Sequence, residues 1–61
     1  MTPAEYREMA LINSRSYVAL AKLYGRRGEK ELETEAINSS NWWKDVVGGI
    51  DSGRIRIEVA A

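Results

Sequence analysis

The 61-residue chain carries nine basic and nine acidic residues, has neither Cys nor His, and is 44% hydrophobic. Disulfides and the usual zinc sites are excluded, and a zero net charge counts against a dedicated nucleic-acid binder. A chain this short buries only ~60% of the surface its unfolded form exposes, so the remaining means of stabilisation is association with another chain.

The longest uninterrupted apolar run, "MALI" (Met9 to Ile12), is far too short to span a bilayer. The opening residues also lack the basic-then-apolar order of a signal peptide. A soluble, intracellular protein is expected, with one small domain over 1–61 made of a helical hairpin (1–50) and a strand-like tail (51–61).

"TPAE" predicts the start of a helix. Thr2 can cap, Pro3 suits the first helical position, and Glu5 can reach back to the cap. The helical pattern runs over about 3–24, and Gly25 offers a left-handed exit. Tyr6, Met9, Ala10, Tyr17, Leu20, Ala21 and Tyr24 form one stripe at 100° per residue, flanked by Ile12 and Leu23. Arg7, Glu8, Arg15 and Lys22 mark the opposite side. Leu11 and Val18 interrupt that polar side, either as tolerated surface aliphatics or as a second contact line for a neighbouring chain.

"GRRGEKE" is a tight connection with ordinary glycine turn chemistry; it lacks the spacing of a phosphate-binding loop, and no strand precedes it. Lys22, Arg26, Arg27 and Lys30 gather there. They either balance the acidic start of the next helix or meet an acidic or phosphate-bearing partner, with no interleaved aromatics to stack bases. Glu29, Glu31 and Glu33 suit the first turns of a second helix over about 29–48. Leu32, Ala36, Trp43, Val47 and Ile50 keep helical phase along it, with Val46 beside them. "NSSN" (Asn38 to Asn41) has poor helix propensity, yet the phase persists across it, which favours one bent helix over a break. Ser39 and Ser40 are small enough to let the first helix approach. Gly48-Gly49 is expected to end the helix, and "DSG" to turn the chain into a strand.

Adjacent residues on a helix point ~100° apart, so Trp42 and Trp43 cannot share the centre of one face. Trp43 lies on the stripe; Trp42 lies beside it, as core edge or partner anchor. In the tail, Ile55, Ile57 and Val59 alternate with Arg54, Arg56 and Glu58, predicting a strand over about 54–59. No second strand is legible, so its ladder groups need a partner. Copies of the chain can pair their tails, the tail can add to a foreign sheet, or the alternation is accidental and the tail loosely ordered.

Catalytic vocabulary is sparse. With no His or Cys, no Gly-x-Ser-x-Gly elbow and no Ser-x-x-Lys, no catalytic residue stands out, and no enzyme activity is expected. Glu29, Glu31, Glu33 and Glu35 scatter around a helix and cannot converge on one ion, so neither metal nor cofactor is expected.

The stretch "ELETEAINSSNWWKDVVGGI" resembles the last helix of small tailed-phage head–tail joining proteins of the gpW-like kind. The resemblance rests on Tyr24, Gly25, Arg26, Ile37, Trp42, Trp43 and Val47, and it covers the middle half of the chain. It implies a structural subunit packed in many copies at a head–tail junction, and a location in the virion. "GRRGEKE" leaves no room for the β-hairpin those proteins place between their helices, and the strand-like tail also departs from their pattern.

Together these features lead to a mainly α, non-enzymatic structural or adaptor subunit of a larger assembly or homo-oligomer, with protein partners and no membrane, nucleic acid or small-molecule substrate. Leu11, Val18, Trp42 and the tail residues Arg54, Ile55, Arg56, Ile57, Glu58 and Val59 are the expected partner contacts. The alternative is a small regulatory binder: an antitoxin-like protein, a phage-encoded inhibitor of a host protein, or a helix-based nucleic-acid binder using Lys22, Arg26, Arg27 and Lys30.

Overall fold

Thr2 opens the first helix as its side chain suggests. Its hydroxyl accepts from the Glu5 N–H at 3.1 Å, and the Glu5 carboxylate accepts from the Thr2 N–H at 3.2 Å, closing a reciprocal capping box ahead of Pro3. The computed structural model describes residues 1–56. They form two helices, α1 (Pro3–Arg26) and α2 (Lys30–Ser52), folded into a hairpin.

α1 runs two residues past the expected end. Gly25 stays helical, and the left-handed exit falls on Gly28 at φ 74°. The glycine at 25 instead makes room: the Glu33 carboxylate from α2 occupies the space into which a Cβ there would project. The connection is tied by backbone bonds from Gly28 N–H to the Gly25 carbonyl (3.2 Å) and from Glu29 N–H to the Tyr24 carbonyl (3.0 Å). Glu29 precedes α2 without a side-chain cap, but Glu31 and Glu33 place negative charge in the first turn, where the helix end is positive.

α2 passes unbroken through Asn38–Asn41 and also through Gly48-Gly49, which was expected to end it. It stops at Ser52, where Gly53 adopts φ 80°. Beyond it the Ile55 N–H returns to the Gly49 carbonyl at 3.0 Å. Gly49 is buried because the Ile55 side chain lies over it: a Cβ at Gly49 would stand 2.6 Å from Ile55 Cδ1. Gly49 thus lies under the turn that closes the helix end. The expected strand does not begin at Arg54: Arg54 and Ile55 form the reversal and Arg56 is irregular, while Ile57, Glu58 and Val59 lie outside the described residues.

The seam between the helices is lined by small side chains. Ala10, Ser14 and Ala21 are buried on α1, and Ala36, Ser40, Val46, Val47 and Gly49 on α2. Ala10, Val46 and Val47 form the central cluster, with Tyr6, Leu11, Trp43 and Ile50 packed around it. Compared with the stripe expected on α1, the buried line is rotated by roughly 60° toward Leu11 and Val18. Met9, Tyr17 and Tyr24 therefore sit at the edge of the interface, and Leu20 is exposed. The reason is steric: helices approach where side chains are short, and bulky groups are displaced to the flanks. Among the described residues no large side chain is fully buried.

At the open end of the hairpin Arg7 grips Asp51 with two hydrogen bonds, Nε to Oδ1 at 2.7 Å and Nη2 to Oδ2 at 3.0 Å. The side-chain hydrogen bond from Arg7 holds the Asp51 carboxyl below its ordinary value of 3.8.

Two outcomes follow from this packing. Ser40 is 2% exposed and its Oγ has no hydrogen-bond partner, so Ser40→Ala is expected to raise stability by about 1 kcal/mol, measured as a higher denaturant midpoint at unchanged slope. Because the folded-state pKa of Asp51 is depressed, its stabilisation is present above the unfolded value and is lost as pH falls through the folded value. The melting-temperature gap between the native chain and Asp51→Asn should be constant above pH ~5 and shrink below pH ~4.

Candidate partner-binding surface

Each helix leaves the seam flanked by two long sides, and the two sides differ in chemistry. The first carries Leu11 and Val18. Both are half-buried, so neither is the exposed aliphatic that the sequence left open. Leu11 spends part of its surface on the central cluster. Val18 lines a groove of about 330 Å³ together with Ala21, Lys22, Glu33 and Ile37, and Lys44 stands at the groove wall. Ile37, from the opposite helix, is 45% exposed there.

The basic group extends from this side around the connection. Lys22, Arg26, Arg27 and Lys30 are all exposed, and among the described residues none has a carboxylate within salt-bridge distance. Arg26 occupies the last turn of α1, where a cation complements the negative helix end.

The second side is aromatic. Tyr17, Leu20, Tyr24, Leu32, Glu35, Ala36 and Ser39 line a shallow concavity of about 270 Å³. Tyr6 and Trp42 continue this side toward the open end at the same helical phase, and no Lys or Arg of either helix falls within it. Trp42 is 57% exposed. Its ring meets the half-buried Trp43 edge-on, with centroids 4.7 Å apart and an interplanar angle of 84°, so Trp43 braces Trp42 from the core side. Trp and Tyr are enriched at interaction centres, and here they share their side with the carboxylates Glu31, Glu35 and Asp45. The sequence stripe had assigned Tyr17, Leu20 and Tyr24 to the core. The signal for their edge position was the line of small residues, Ala10, Ser14 and Ala21, one step around the helix.

The tail leaves α2 on this aromatic side. Gly49 lies seven residues after Trp42, hence on the same face, and Ile55 is held over it. The Arg54 Nε donates to the Ser52 hydroxyl at 3.1 Å, and Arg56 is exposed. The structure thus brings Trp42 and Ile55 to one side and places Leu11 and Val18 on the other, with Arg54 exposed in the reversal next to Ile55.

Among the described residues no three His, Cys, Asp or Glu side chains gather as metal ligands, and no helix is long and apolar enough to cross a membrane. No family model, no curated protein and no solved structure matches the chain.

The Gly49–Ile55 contact can be broken selectively. Gly49→Ala adds a helix-favouring methyl yet drives it into Ile55, so helix content is expected to hold while the tail is released. Trypsin should then cut after Arg54 and Arg56 at least about threefold faster than in the native chain, because local opening governs access.

Proposed function

We propose that the chain is a non-enzymatic structural or adaptor subunit that works inside a larger protein assembly. One observation carries this reading: no large side chain is fully buried among the described residues, while Ile12, Leu20, Leu23, Leu32, Ile37 and Trp42 are exposed. A two-helix hairpin with so much apolar surface in water gains most from a neighbour that covers it.

A phage head–tail connector type of subunit is the particular assembly suggested by the gpW-like resemblance over Tyr24, Gly25, Arg26, Ile37, Trp42, Trp43 and Val47. Ile37 and Trp42, two residues of that set, are exposed and free to touch neighbouring subunits. The tail is the second contact. Arg54 and Ile55 are tied to the end of α2, and on this reading Arg56 to Val59 add to a sheet, either a partner's or one formed between copies.

A second reading, a small regulatory or nucleic-acid binder, is favoured by the four exposed cations Lys22, Arg26, Arg27 and Lys30, which lack carboxylate partners among the described residues. Sedimentation of the full chain beside a truncation ending at Arg56 separates the two. The assembly reading expects a mass above the monomer that rises with concentration, and a weaker association for the truncation. Folded monomers in both samples, together with duplex-DNA affinity that falls steeply with salt, would favour the cation reading instead.

A further inference from the structure

The aromatic side of the hairpin carries a pattern along α2 that is complementary to itself. Glu31 lies eleven residues before Trp42 and Gly53 eleven residues after it. Eleven residues are about three full turns, so Glu31, Trp42 and the Gly53–Arg54 reversal line up on one face, with roughly 16 Å between successive points. Glu35 adds a second carboxylate to the first end, and Arg54 and Arg56 supply cations at the other. The line runs negative, aromatic, positive.

We infer that this side docks a second copy of the same chain, antiparallel, about a two-fold axis at Trp42. The inference rests on the assembly reading above and narrows it to one surface and one occupant. A two-fold axis there sets Trp42 against its own equivalent and carries Glu31 of each copy over Arg54 of the other. Ile55 of one copy, 38% exposed, arrives at the concavity of Leu20, Tyr24, Leu32 and Glu35 in the other. Asp45, the remaining charge beside Trp42, falls opposite the neutral pair Asn38 and Ser39 of the second copy, so no like charges meet at the centre.

Shape supports the same occupant. The hairpin is a rod of two helices of 24 and 23 residues, about 35 Å long, and pairing two rods side by side covers the long aromatic flank of each. A two-fold contact closes on itself, so any ring or filament of such pairs would be built through other surfaces.

Charge reversal tests the geometry. Glu31→Arg with Glu35→Arg makes one variant, and Arg54→Glu with Arg56→Glu makes the other; all four positions are exposed, and circular dichroism checks that each variant keeps its helices. Each variant alone should self-associate at least about tenfold more weakly than the native chain, because like charges then face each other at both ends of the interface. Mixed in equal amounts, the two should form a heteropair of native-like affinity, seen as a two-chain mass in native mass spectrometry. Trp42→Ala should keep the helical signal and lose the pair. Unchanged self-association of either charge variant, failure of the mixture to pair, or a native complex with an odd number of chains would overturn the pairing and leave the assembly reading intact. A native chain that stays monomeric and folded at several hundred micromolar would overturn the pairing. If its mass were also unchanged by removal of the tail, the self-assembly form of the wider reading would fall with it.

Discussion

Two long helices can lie close together only where neither presents bulk, and here that condition is met by Ala10, Ser14 and Ala21 facing Ala36, Ser40 and Val47. The close seam has a thermodynamic cost. Each methylene removed from water contributes only about 0.8 kcal/mol, so a line of alanines and serines buries far less than a line of leucines would. The large apolar residues are displaced to the flanks, where Leu20, Leu32, Ile37 and Trp42 remain exposed. The feature that joins the helices therefore also leaves large apolar residues at the surface.

A seam of small, similar side chains specifies its register weakly, since a shifted pairing would again place small groups opposite one another. The hairpin resolves this at its two ends. The short connection at Gly28, closed by the Glu29-to-Tyr24 backbone bond, fixes one end. The Arg7–Asp51 pair fixes the other across 44 residues of sequence. Its two parallel hydrogen bonds give it a defined geometry, which is what lets an exposed ion pair select one alignment even when its energy is modest. The unpaired hydroxyl of Ser40 shows the opposite side of this balance: a buried polar group kept small enough for the neighbouring helix to pass.

Local chemistry made the helical part of this fold legible. Thr2, Pro3 and Glu5 mark the start of α1 unaided, and the persistent phase through Asn38–Asn41 correctly favours one helix over two. The errors arise where contacts reach beyond a single helical turn. "GRRG" offers two glycines as exits, and only Glu33 folding against Gly25 decides for Gly28. A glycine pair at 48 and 49 resembles a terminator until Ile55 returns to cover it. On α1, counting aromatic residues placed the stripe too far toward Tyr17 and Leu20, because hydrophobicity weights bulk whereas close approach selects for its absence. Trp42 is exposed, as its place beside the stripe allowed, whereas Tyr17 and Tyr24, assigned to the core, stand at its edge.

The tail changes meaning once its first residues are placed. Its alternation of Ile55, Ile57 and Val59 had suggested a strand with one apolar face awaiting a sheet. Ile55 is instead spent within the chain, pinned over Gly49 by its own N–H and by the turn at Gly53. That pinning sets the exit on the same side as Trp42 and the tyrosines. A segment leaving elsewhere could serve a partner independent of the hairpin; on the proposed assembly reading, one launched from the aromatic side would share its neighbour. The helix face and the exposed Arg54 and Arg56 would then form parts of a single contact.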